Sequence, residues 1–303
     1  MSLQVTTQIS RPVKFNPQVT GPGIRQVQRI TVKGKRRAAG FAVWVDPAKI
    51  RLFYDKEMLS YDFSTQSVVK PPLAGTSFES AKGKLLKDIV GDEIVFACSG
   101  QTGNMWSSNS IMVVDGKIIK RNAPGVATEA FIPLDGTYTF FVFDPANPRL
   151  GTLSFERGEL KGSLNFRNAV SGPVLIEAGK DVSTLIRQAE PNTQSNEVLW
   201  DPATFQAAMS AVGCTRNGQI ILVSLAGNPD LQNEIRLKDM VAVLKKLKAH
   251  NAILLGESGE VQQFVLTDKR QSLWVTARAR SDSSMVNMFP DGRPRSSAIL
   301  VER

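Results

Sequence analysis

The chain has 303 residues, 42% of them hydrophobic and 21% charged, an ordinary globular balance with enough apolar material to bury a core. No run approaches about 18 uninterrupted apolar residues, so no membrane span is expected. The net charge of +9 permits nucleic acid, an anionic surface or an acidic glycan as partner, and equally serves solubility.

Taken in chain order, residues 1–24 carry spaced prolines at Pro12, Pro17 and Pro22 and read as an extended N-terminal arm. They contain no apolar leader segment, and a cytoplasmic location is the default expectation. The densest basic run comes next, with Lys33, Lys35, Arg36 and Arg37. Gly34 and Gly40 punctuate it, and no aromatic platform accompanies it. It therefore reads as a solvated hairpin tip, and nucleic acid is not the expected partner. Most of the remaining chain reads as strands rich in Val, Ile and Phe: 41–46, 50–54, 93–98, 110–121, 137–144, 173–179 and 219–227. Asp115-Gly116 and Asn217-Gly218 sit between apolar runs and predict type I′ hairpin turns.

One helix is sharply patterned, over 236–249. Leu237, Met240, Val241, Leu244 and Leu247 recur at helical spacing, with lysines on the other face and in the last turn. A second short helix is expected over 181–190. Strands 251–255 and 262–267 flank a small acidic tip, Gly256-Glu257-Ser258-Gly259. The expected fold class is α+β, mixed β-sheets with a few packed helices, in a single domain over 25–303.

Several chemistries find no support. His250 is the only histidine, and its place at a helix end predicts a C-terminal cap rather than a catalytic base. Cys98 and Cys214 sit in apolar segments and read as buried thiols that need no disulfide. One histidine and two distant cysteines do not make a transition-metal site. No phosphate loop or dinucleotide fingerprint occurs, so no cofactor is expected.

The C-terminal half runs strand, turn, strand, helix, strand, acidic tip, strand. The segments "MSAVGCTRNGQIILVSLAG" and "IRLKDMVAVLKKLKAHNAILLGESG" carry that order. With "IVFACSGQTGN", "SNSIMVVDGKII", "NAVSGPVLIEAGK" and "DGRPRSSAILVER", the chain from about residue 90 to 303 resembles the phosphodiester glycosidase domain. Its uncovering-enzyme-like members trim N-acetylglucosamine from a phosphorylated mannose. The resemblance implies a cleft walled by loops 99–109, 171–173, 209–216 and 256–260, taking a glycan or sugar-phosphate ligand.

The motif residues depart from the family pattern. Met209 stands where the family has Arg before Thr-Ala, Ser99-Gly100-Gln101 where it has Asn-Gly-Gly, and Gly256-Glu257-Ser258-Gly259 where it has Asp-Gly-Gly-Gly. A phosphodiester needs a fork of donors or a cation for its oxygens and acid/base groups for the leaving atoms. By position, the resemblance leaves Glu257 as the catalytic candidate. The ligand-binding candidates are Ser99, Gly100, Asn104, Trp106, Gly172, Ser210, Gly213, Gly256, Ser258 and Gly259. Trp106, amid amides and hydroxyls, suits the C–H face of a sugar; its alternative is a core position under a plain polar loop. Three functional readings stand: a diverged, weakly active or inactive binder of glycan or sugar-phosphate, an active sugar-1-phosphodiester hydrolase, or an assembly protein that grips a polyanion through its basic surface.

Overall fold

A computed structural model of the chain describes residues 6–9, 23–33, 38–54, 61–62, 67–68, 94–99, 111–120, 136–156, 159–183, 206–227, 235–257, 261–266, 272–276 and 297–303. Numbered in chain order, an eight-stranded sheet forms its centre. Its spatial order is β1 (Thr6–Ile9), β2 (Ile24–Lys33), β3 (Ala38–Val45), β18 (Ile220–Ala226), β17 (Met209–Thr215), β20 (Ala249–Glu257), β14 (Val174–Glu177) and β15 (Lys180–Asp181). A five-stranded sheet runs β22 (Ser272–Thr276), β21 (Gln262–Leu266), β7 (Ile94–Ser99), β23 (Ser297–Glu302) and β4 (Ile50–Tyr54). A six-stranded sheet runs β12 (Glu159–Lys161), β11 (Arg149–Glu156), β10 (Gly136–Val142), β13 (Ala169–Ser171), β8 (Ile111–Val114) and β9 (Lys117–Lys120). Two-stranded pairs complete it, β5 (Tyr61–Asp62) with β6 (Ser67–Val68) and β16 (Gln206–Ala207) with β19 (Ile235–Arg236). The strand pairings among the described residues are antiparallel, as β2 with β3 and β17 with both β18 and β20.

The central strands are buried on both faces, which explains their nearly unbroken apolar sequences, Met209–Thr215 and Ile220–Ala226. Strand alternation divides them cleanly. Met209, Ala211, Val223, Leu225 and Leu254 pack with Leu237, Met240, Val241 and Leu244 of α1 (Leu237–Lys246). Val212, Cys214, Leu222, Ile253 and Leu255 point the other way. There they meet Phe96, Cys98, Val265, Ile299 and Val301 of the five-stranded sheet and Met112, Phe141 and Val170 of the six-stranded sheet. The layers are therefore helix, central sheet, and a second layer made of two sheets.

Five expectations change. Among the described residues α1 is the only α-helix, so the fold is mostly β rather than α+β with several packed helices. Of the helix expected over 181–190, Asp181 belongs to β15 and 184–190 lie outside the described residues. The strong helix stops at Lys246, because Lys248 adopts φ +63 and turns the chain. His250 is therefore not a helix cap. It is a strand residue whose carbonyl accepts the Gly179 N–H at 2.7 Å. In the hairpin at 215–219 only Gly218 has positive φ, and its N–H reaches the Thr215 carbonyl at 3.0 Å. That is a type I turn closed by a left-handed glycine, not type I′. Asp115-Gly116, with φ of 50 and 75, does have the type I′ signature.

The ends of α1 obey ordinary helix chemistry. The Asp239 carboxylate accepts the Arg236 backbone N–H at 3.1 Å and both arms of its guanidinium, at 3.0 and 3.1 Å. This satisfies an orphan donor of the first turn and neutralises a buried acid. Lys245 and Lys246 occupy the last turn, facing solvent.

Candidate functional site

The site expected from the sequence lies at one end of the central sheet, where β17 begins and β20 ends. Antiparallel pairing sets two rows across three strands there. Leu225, Met209 and Glu257 form the outer row; Ser224, Ser210 and Gly256 form the next. Ser210 faces Gly256 while Ala211 faces Leu254, so Leu255 is one residue extra on β20. Such a bulge locally twists a strand and re-aims the residues beyond it. Glu257 thus reaches the sheet end next to Met209. Glu257, Gly256 and Ser99 are placed by backbone register alone, Ser99 opposite Ala298 in the five-stranded sheet.

Met209 is fully buried beneath α1. Position 209, which the resemblance pairs with an arginine, is a packing position in this chain and supplies no cation. Ser210 points to the opposite face. Its hydroxyl meets that of Ser224 at 2.8 Å, both buried, on the side that carries Val212 and Leu222 into the sheet–sheet layer. The pair is hydroxyl to hydroxyl, and neither an imidazole nor a carboxylate partners it. The arrangement of an activated serine nucleophile is therefore absent among the described residues.

The second layer covers this end through β21. Val261 packs on Ala208 and against Ala226, the residues just beyond the Met209–Leu225 pair. Two residues on, Gln263 faces the same way, since its register partner Cys98 and its neighbour Val265 both belong to the interlayer core. Gln263 is fully buried, and among the described residues neither its Oε1 nor its Nε2 has a hydrogen-bond partner. Burial pushes the Cys98 thiol far up, against a smaller opposing effect of the Ile299 backbone. The Cys214 thiol is raised by burial too, so neither free cysteine is a thiolate nucleophile.

The two candidate glycines are close-approach positions inside the packing. A β-carbon on Gly172 would lie 2.1 Å from the Leu254 carbonyl oxygen, and one on Gly213 would lie 2.8 Å from that of Asn251. Gly213 pairs with Ala252, four residues along β17 from Met209, about 13 Å at the usual strand rise. It does not share the sheet end with Glu257. Gly100, Asn104, Trp106, Ser258 and Gly259 lie outside the described residues. The structure thus brings together Ser210, Gly256 and Glu257, and adds Ser224 and Gln263. Ser224 was within reach of the sequence: the 215–219 turn fixes the register that pairs 210 with 224.

The described buried polar side chains at this end are uncharged. Among the described buried side chains, the charged one is Asp239, which belongs to the helix N-terminus with Arg236. The arrangement offers hydroxyl and amide hydrogen bonds, not a cation. Among the described residues no helix is long and apolar enough to cross a membrane.

The model for the phosphodiester glycosidase family matches residues 89–288. No curated protein matches the sequence. Among solved structures, the chain is similar to the zebrafish N-acetylglucosamine-1-phosphodiester alpha-N-acetylglucosaminidase catalytic domain auto-inhibited by pro-peptide. The TM-score is 0.57 at 13% identity, over 99% of this chain and 89% of that one. It is also similar to a hypothetical protein from Synechocystis, with TM-score 0.48 and 14% identity over 92% of this chain and 62% of that one. At such identities the likeness is one of fold.

Proposed function

The chain belongs to the phosphodiester glycosidase family, and from that premise we propose that it is a diverged member that binds a glycan or sugar-phosphate ligand and hydrolyses it weakly or not at all. The observation that carries this reading is the burial of Met209 under α1. The position that the resemblance assigns to an arginine is occupied by a thioether turned into the core. A phosphate there lacks the bidentate donor that would hold it and stabilise its developing charge.

Binding and chemistry separate in this account. The sheet end keeps a bulged β20, a buried hydroxyl pair and the Glu257 backbone at the rim. The family resemblance adds Asn104 and Trp106, which lie outside the described residues, as proposed ligand residues, an indole being suited to stack on a sugar face. Trp106→Ala should weaken sugar binding by about 1–3 kcal/mol, by analogy with base-stacking platforms. Glu257 is the acid closest in register to position 209. If residual turnover exists, Glu257→Gln should abolish it.

A panel of sugar-1-phosphodiesters tests the proposal, with turnover followed by release of the free sugar and binding by calorimetry. The expected result is measurable binding with turnover far below about 1 per second. Turnover at or above that rate would make the protein an ordinary hydrolase of its family. Absence of any sugar or sugar-phosphate binding would refute the ligand itself.

A further inference from the structure

Gln263 is a buried amide at a position whose neighbours are apolar. Its register partner is Cys98, Val265 comes two residues later, and both pack in the interlayer core. Leaving a buried donor and a buried acceptor unpaired costs about 1–3 kcal/mol each. Methionine or leucine would fill the same space without that cost. Buried polar groups in folded proteins nearly always have partners, and among the described residues this amide has none.

The place of the amide says what the partner is. Val261, two residues earlier on the same face, packs on Ala208 and Ala226 at the end of the central sheet. The next row of that sheet carries the Ser210–Ser224 hydroxyl pair, directed into the same layer. Facing and row order therefore assign three of the described buried polar side chains, Ser210, Ser224 and Gln263, to the layer at the sheet end where Glu257 stops β20. The amide presents one donor and one acceptor side by side, and the described buried side chains at this end include no cation. An anion brought to such a place would be desolvated without a counter-charge, which is strongly unfavourable. A neutral group offering an acceptor and a donor at adjacent atoms fits instead.

We propose that Gln263 is a ligand-binding residue of this site, its carboxamide bonding an uncharged hydroxyl pair or amide on the sugar ring, with the phosphate held outside the Ser210–Ser224 row. The proposal rests on the sugar-phosphate reading above and deepens it: sugar inward, phosphate outward.

Gln263→Met is the test, with Gln263→Leu as a second variant should the first not fold. Glucose, N-acetylglucosamine and inorganic phosphate are titrated separately into wild type and variant, and melting temperatures are recorded. Wild type should bind at least one sugar. The variant should bind it on the order of tenfold or more weakly, the loss of one or two hydrogen bonds. Its phosphate binding should not change, and its melting temperature should hold or rise, since two unpaired groups are gone. Equal sugar affinity in the variant overturns the assignment and leaves the family reading standing. A lower melting temperature with equal sugar affinity also overturns it, because the amide then serves an internal water. If wild type binds neither the sugars nor the phosphodiester panel, the ligand reading fails and Gln263 falls with it.

Discussion

The two faces of the central sheet are built from alternate residues of the same strands, yet they differ in kind. The face under α1 is apolar to its end: Met209, Ala211, Val223 and Leu225 meet Leu237, Met240, Val241 and Leu244. The opposite face is apolar only in its middle, and its end holds Ser210 and Ser224 beneath the strand that carries Gln263. An apolar face closes a core and asks for nothing more. Buried hydroxyls and an unpaired amide cost stability, and proteins keep such costs where they serve specificity or a ligand. The difference marks the helix side as scaffold and is the reason the proposed recognition is assigned to the sheet–sheet side at the 209–257 end.

The most damaging way to break the scaffold side is Met240→Asp. It places an unpaired charge in a fully buried position and should cost several kcal/mol in denaturant unfolding. Gly172→Ala comes next. Its new methyl would strike the Leu254 carbonyl, and about 1–3 kcal/mol of stability should be lost. Unchanged stability would show that the 171–173 segment yields, restoring Gly172 as a loop residue of the cleft rather than a packing one.

On the polar side, Ser210→Ala leaves the Ser224 hydroxyl without its partner and should cost about 1 kcal/mol. The double change with Ser224→Ala should cost less than the sum of the two single changes, as for residues in direct contact. Strict additivity would mean that the two hydroxyls act separately.

The smallest effect lies outside both faces. The Asp144 carboxyl is held below its ordinary value by the Ala146 N–H and then by the Arg149 side chain. The folded protein therefore releases this proton more readily than the unfolded chain. The stabilisation is present above the ordinary carboxylate range and is lost as pH falls through the depressed value. On an exposed pair this amounts to no more than about 1 kcal/mol. Asp144→Asn should lower the melting temperature slightly at neutral pH and not at all in strong acid.

Much of the scaffold was legible because it is periodic. The stripe from Leu237 to Leu244 fixed α1, and the apolar runs fixed β17, β18 and β20. The end of α1 was not legible, because it depends on Lys248 accepting a left-handed backbone that glycine usually takes. His250, at the expected end of the helix, then looked like a cap. The site was legible only in part. The acidic tip and Ser210 could be placed by order along the chain. Gln263 could not: nothing in "EVQQFVL" marks it as buried, and its place follows from pairing with Cys98, far away in the chain. Gly213 shows the converse, a glycine that looks like a loop residue and is the interior of a strand.

The most direct test of the central claim observes Gln263 itself. In uniformly nitrogen-15-labelled protein, its side-chain amide resonances are assigned by loss in Gln263→Met and monitored while a sugar-1-phosphodiester is titrated in. The account predicts a saturable shift of those two resonances, together with the backbone amides of Ser210, Ser224 and Gly256, while the α1 amides at Lys245 and Lys246 stay still. Saturable shifts confined to α1 or to the basic run around Lys35–Arg37, with the Gln263 amide unmoved, would contradict it.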